Sequence, residues 1–137
     1  MYKRQVEEVV RLARDRAAAS TTYFYVDTLE FLRRGGRIRP AAAMVGTALS
    51  VKPLLTVADG EIRPLERVRT ESRALARLEE LGLASLAQAA GQSEHVDVAV
   101  HHLDNPAGAA RLVNRLQDRV RGCEISVTEV SLSLIHI

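Results

Sequence analysis

The sequence predicts an α/β sandwich, a mixed sheet with flanking helices. Three observations predict it. Apolar residues at helical spacing alternate along the chain with short β-branched or alternating runs, in the order α-β-α-α-β-β-α-β-α-β. The 137 residues are 47% hydrophobic and 26% charged, which supplies one ordinary core. No internal repeat or low-complexity linker divides them.

The elements follow from local signals. Val6, Val9, Val10, Ala13 and Ala17 recur at helical spacing, so an amphipathic helix runs to about Ser20. TTYFYV, residues 21–26, is β-branched and aromatic and reads as a short strand. Asp27 or Thr28 can cap the next helix, LEFLRR, which closes at Gly35-Gly36. PAAAMVGTAL, residues 40–49, reads as a second short helix with proline in its first turn, where the missing N–H is no loss. Two extended runs then flank Asp59-Gly60, the strongest hairpin signal in the chain. Thr70 starts a helix with Ala74, Leu75, Leu78 and Leu81 on its apolar side. VDVAVHHLD, residues 96–104, alternates as a strand, and Asn105-Pro106 opens a helix carrying Ala109, Leu112, Val113, Leu116 and Val120 on one face. CEISVTEV, residues 123–130, is the last strand.

Composition excludes several functions. Aromatics are 4% and tryptophan is absent, which disfavours a stacking platform for single-stranded nucleic acid. A single cysteine, Cys123, argues against a disulfide framework and paired-cysteine zinc sites, and a reducing compartment, the cytoplasm, is the default. No stretch approaches a membrane span.

The two ends differ from the interior, which is rich in arginine and alanine and whose only lysine is Lys52. Residues 1–5 and 132–137 reverse-translate to one adapter-like sequence read inward on opposite strands. They are read as sequencing-adapter scars, with residues 6–131 an internal piece of a longer gene. Setting aside Lys3 and Arg4 leaves 17 basic against 17 acidic residues, so the formal charge of +2 lies wholly in those ends. A nucleic-acid reading based on net charge loses its support.

Candidate chemistry is sparse. His101 and His102 are adjacent in a strand and face opposite sides, so they cannot easily share a metal; one packed and one solvated histidine is the expected arrangement. No spaced ligand set, GxSxG elbow or Walker sequence is present, and no metal or cofactor is expected. Cys123 precedes Ile125 and Val127 on one strand face and is expected to be partly buried. Arg63, Arg67, Arg69 and Arg73 form a basic set, with Arg67 and Arg69 on one strand face, which Glu61, Glu66 and Glu71 could balance. Arg33 and Arg34 suit the negative end of a helix, whereas Arg37 follows the glycine cap and offers a guanidinium fork to a carboxylate or phosphate.

Three stretches together resemble the DegV family of bacterial fatty-acid-binding proteins: DTLEFLRRGGRI at residues 27–38, LSVKPLLTVADGEIRP at 49–64 and VRTESRAL at 68–75. VAVHHLD and its following helix continue the match, and the resemblance covers residues 6–130. It implies that residues 6–131 are the C-terminal α/β domain of a two-domain protein that encloses one long-chain fatty acid between its domains. By the same resemblance Arg37, with Gly35 and Gly36, lies at the carboxylate end of the ligand. Arg69, with Arg67, belongs to a surface facing a partner or the membrane. The family's implied function is a non-enzymatic carrier, some members of which present the acid to a fatty acid kinase. The hydroxyl residues that hold the carboxylate lie in the family's first domain, and its histidine in a glycine-rich turn would follow the last strand, where LSLIHI stands instead, so His136 does not take that role.

Two other classes remain in view. An arginine-rich regulatory or nucleic-acid interaction module without catalysis would bind salt-dependently. A small enzyme using His101 or Cys123 would show pH-dependent turnover. Leu29, Phe31, Leu32, Met44, Leu49, Leu54 and Leu55 serve equally as ligand wall or plain core by periodicity.

Overall fold

The computed structural model of the chain describes residues 2–38, 51–91, 96–120 and 123–130. Helix α1 spans Tyr2–Ala19, β1 Tyr23–Tyr25, α2 Glu30–Arg34, β2 Lys52–Ala58 and β3 Glu61–Val68. They are followed by α3 Glu71–Ala90, β4 Val98–His102, α4 Pro106–Gln117 and β5 Ile125–Glu129. The expected helix over residues 40–49 lies outside the described residues.

The architecture is α/β, and its pairings are divided between two ladders. Strands β1, β2 and β3 form an antiparallel sheet in that order, while β4 and β5 pair in parallel across the α4 crossover. The parallel and antiparallel pairings expected of one mixed sheet are thus carried by separate sheets among the described residues. A helix must cross over to make a parallel pair, whereas a two-residue turn suffices for an antiparallel one. Helix α3 touches all three strands of the antiparallel sheet and α4, and α4 in turn covers β4 and β5.

Local signals act where they stand. Asp59 and Gly60 take φ of 54° and 74°, the two left-handed residues that a tight hairpin needs. The Thr70 hydroxyl accepts from the Arg73 amide at the start of α3, and Asn105 Oδ1 accepts from the Gly108 amide at 2.9 Å, with Pro106 in the first turn of α4. Thr28, of the two candidates before α2, receives the Glu30 amide on its hydroxyl; Asp27 pairs with Lys52 instead.

Leu54 and Leu55, on the central strand β2, are fully buried, with Ala74 and Leu75 of α3 buried nearby in the chain's core set. Val100, Ala109, Val113 and Leu116 form a cluster against which Leu83, Val98, Leu112 and Ile125 pack. The register of β2 and β3 shifts between Leu54 and Leu55, leaving Leu65 without a partner and exposed, as a β-bulge does. Helix α1 is amphipathic as expected, yet Val6, Val9, Val10 and Leu12 are exposed, because no other described element packs on it. No helix among the described residues is long and apolar enough to cross a membrane.

Candidate functional site

A cleft of roughly 660 Å³ opens between the end of α2 and the tip of the β2–β3 hairpin. It is lined by Arg33, Gly36, Arg37, Ile38, Gly60, Glu61 and Ile62. Two stretches that are separate in the sequence, GGRI and the Asp59-Gly60 turn, therefore meet at one place.

The helix end explains how Arg37 reaches that place. Gly36 has φ of 65°, the left-handed conformation that stops α2, whereas Gly35 at φ −76° does not need to be glycine for its backbone. The Gly36 amide donates to the Arg33 carbonyl at 3.1 Å, and the Arg37 amide to the Leu32 carbonyl at 2.9 Å. This pair of bonds is the Schellman arrangement, and it fixes the backbone of Arg37 while leaving its side chain exposed. Ile38, next in the chain, is 5% exposed, so the inside–outside alternation read for this stretch holds for Arg37 and Ile38; Arg39 lies outside the described residues.

The three arginines here are not equivalent. Arg33 grips Glu30 through Nε and Nη2, with Nη2 2.9 Å from both carboxylate oxygens, and Arg34 Nε reaches Glu30 Oε1 at 2.7 Å. The Arg33 hydrogen bond, then that of Arg34, holds the Glu30 carboxyl below its usual pKa of 4.5. Arg37 has no side-chain hydrogen bond or ion pair among the described residues, so its guanidinium is the one left to face an incoming anion. Ile38 and Ile62 supply apolar lining beside it.

The sequence model of a family described as an uncharacterised protein, DegV family, matches residues 3–136. A DegV domain-containing protein of Streptomyces coelicolor is 54% identical over 126 residues, covering 91% of this chain and 43% of that protein. The chain belongs to the DegV family. Among solved structures, a fatty acid binding DegV family protein from Streptococcus agalactiae superposes with a TM-score of 0.74 at 26% identity, covering 91% of this chain and 43% of that one. A DegV family protein from Thermus thermophilus, described by its fatty acid binding, gives 0.67 at 28% identity over 89% of this chain and 43% of that one. The chain spans less than half the length of the curated relatives it matches.

Within this DegV chain the remaining candidates are dispersed. Arg67 is exposed near the end of β3, beside a second cleft of roughly 220 Å³ lined by Pro53, Pro64, Leu65, Glu66 and Arg67. Arg69 is exposed beyond the end of that strand, so the two share a surface region rather than a strand face. Of the acids expected to balance the basic set, Glu61 comes within 4.0 Å of Arg63, while Glu66 pairs with Arg77 at 2.6 Å and Glu71 with Arg111 at 2.6 Å. Arg63 pairs with Asp59 at 2.8 Å, which leaves Arg67, Arg69 and Arg73 without a side-chain partner among the described residues.

His101 is exposed and His102 half-buried, as adjacent residues of a strand must be. His102 Nδ1 is buried with no hydrogen-bond partner among the described residues. Cys123 is half-buried just before β5. Neither histidine nor Cys123 lines the cleft, and His95 and His136 lie outside the described residues. No group of three metal-ligating side chains gathers among the described residues. Of the seven apolar wall-or-core candidates, Leu54 and Leu55 are core, Leu29 and Leu32 are half-buried, and Phe31 is 75% exposed on α2. Met44 and Leu49 lie outside the described residues.

Sequence reasoning missed Gly60, Glu61 and Ile62 as cleft residues. The Asp59-Gly60 signal located the turn, but nothing local says which element a hairpin tip will face.

Proposed function

We propose that this chain forms one wall of a long-chain fatty-acid site, with Arg37 facing the carboxylate. The observation that carries the reading is an Arg37 guanidinium with no side-chain partner among the described residues, in a cleft whose apolar lining is Ile38 and Ile62. A fatty acid needs both features, since its tail gains about 0.8 kcal/mol per buried CH₂ while its head group must keep a polar partner. The fatty acid binding ascribed to the Streptococcus agalactiae and Thermus thermophilus relatives supports the same chemistry. Residues 6–131 act as the second domain of the carrier, and the preceding domain closes the site. The role is binding rather than catalysis: the carrier works in the cytoplasm and hands its acid to a fatty acid kinase. Arg67 and Arg69 meet that partner or the membrane surface.

The test is to purify the protein with the reading frame that flanks it in its source genome, extract bound lipid and identify it by mass spectrometry. A long-chain fatty acid near molar equivalence is expected, and its marked loss in Arg37→Ala. Lipid-free protein that also fails to take up added palmitate or oleate sinks the reading.

A further inference from the structure

We infer that Gly35 is a positioning residue for Arg37, present because any side chain there would drive the guanidinium out of its seat. The inference rests on the carboxylate-binding reading of the cleft and assigns the two adjacent glycines different tasks.

Gly36 is explained by its backbone. Its φ of 65° is left-handed, and a Cβ placed on it would meet nothing within 4 Å, so conformation alone calls for glycine there. Gly35 is the reverse case. Its φ of −76° and ψ of 1° suit any residue. A Cβ on Gly35, however, would lie 2.7 Å from Arg37 Nη1 and 3.9 Å from Arg37 Cζ. The guanidinium of Arg37 thus lies across the face of Gly35, in space that every other amino acid would fill. The Phe31 carbonyl, 3.2 Å from the same point, belongs to the preceding turn of the chain and is the neighbour a helix end ordinarily presents.

The geometry ties the seat to the cleft. One backbone bond to Leu32 holds the Arg37 main chain, and the burial of Ile38 anchors the next residue. Arg37 lines the cleft, and the bare Cα of Gly35 is the surface its guanidinium lies on. Because the displaced atom is the end of a flexible side chain, alanine at 35 moves the arginine rather than the fold. Charge is consistent with this: Glu30 is engaged by Arg33 and Arg34, and Arg37 has no ion-pair partner among the described residues to compete with a ligand's charge.

Two measurements on the protein with its flanking reading frame test it. In the unliganded protein, nuclear Overhauser contacts are expected between the Gly35 α-protons and the Arg37 guanidinium protons; their absence overturns the inference. Laurate is then titrated into the unsubstituted chain, Gly35→Ala, Arg37→Ala and the double variant, with 1-dodecanol as the control for tail binding. Gly35→Ala is expected to weaken laurate about tenfold, by the loss of roughly one well-aligned charge-assisted bond, without shifting the thermal midpoint. In the Arg37→Ala background the same substitution should have no further effect on affinity. A Gly35→Ala effect that persists there means glycine acts independently of Arg37, and overturns the inference. If laurate moves no Arg37 signal in the unsubstituted chain, the carboxylate reading of the cleft falls, and the Overhauser contact alone decides whether Gly35 seats the guanidinium.

Discussion

Glu79 of α3 lies with Oε2 3.3 Å from Nη1 of Arg115 on α4. Its other oxygen lies 3.3 Å from Arg119 Nε, so one carboxylate receives two arginines from the neighbouring element and the turn that follows it. Glu79 is 8% exposed, whereas the arginine side chains are 47% and 66% exposed. Burying a carboxylate without partners is expensive, but the arginines keep much of their water and the pairs are screened accordingly. Glu79→Ala is expected to lower the unfolding free energy by about 1–2 kcal/mol. Arg115→Ala should lower it by less, because Arg119 remains. Urea titrations decide this, and equal losses for the two variants would show that Arg119 does not hold the carboxylate alone.

The hairpin turn offers a cleaner backbone test. A Cβ on Gly60 would touch nothing within 4 Å, so its replacement acts through φ of 74° alone. Gly60→Ala is expected to cost about 1 kcal/mol. For a chain of this size that is a fall of roughly 4 °C in Tm. A much larger fall would mean that the hairpin tip is crowded by its neighbours.

What could be read ahead of the structure was local. Thr70, Asn105-Pro106 and Asp59-Gly60 each satisfy or bend the backbone within three residues, so the sequence carries their effect directly. The division of the strands into two sheets was not legible, because pairing joins segments as distant as Tyr23 and Thr56 and depends on which faces the helices cover. Leu65 shows the same limit: period-two alternation cannot announce the bulge that leaves it exposed. Arg37 was visible as an arginine that the cap did not explain, but its cleft was not, since Gly60 and Ile62 reach it from a hairpin remote in sequence. Phe31 misleads for a related reason, because an aromatic on a five-residue helix has no long face to bury it.

The surface around Arg67 and Arg69 should bind anionic lipid if it faces a membrane. Each basic residue near such a surface contributes about 1 kcal/mol, so Arg67→Ala with Arg69→Ala is expected to weaken binding to phosphatidylglycerol vesicles about thirtyfold. Binding to phosphatidylcholine vesicles should not change, and added salt should shrink the difference. Co-sedimentation measures it. An unchanged partition into anionic vesicles removes the membrane from the role proposed for this face.

The last prediction concerns alkaline pH and joins β1 to α4. Asn105 Nδ2 donates to the Tyr25 hydroxyl at 3.3 Å while its Oδ1 caps α4. Burial, followed by the nearby charges of Glu71 and Asp27, pushes the Tyr25 phenol above its usual 10.0, against the opposing effects of Lys52 and the Asn105 bond. The folded protein therefore holds this proton more tightly than the unfolded chain. The resulting stability is fully present below the unfolded pKa and is lost as pH rises from 10.0 through the folded value. Tyr25→Phe should remove that alkaline loss and leave the α4 cap intact. Asn105→Ala should act in both places: it removes a bond that favours the phenolate, so Tyr25 titrates at still higher pH, and it costs about 1 kcal/mol at neutral pH through the lost cap. Tyrosinate absorbance across the alkaline range, with urea melts at neutral and alkaline pH, separates the two effects. The chain has three tyrosines, and a single common transition for all of them at the ordinary phenol value would refute the coupling.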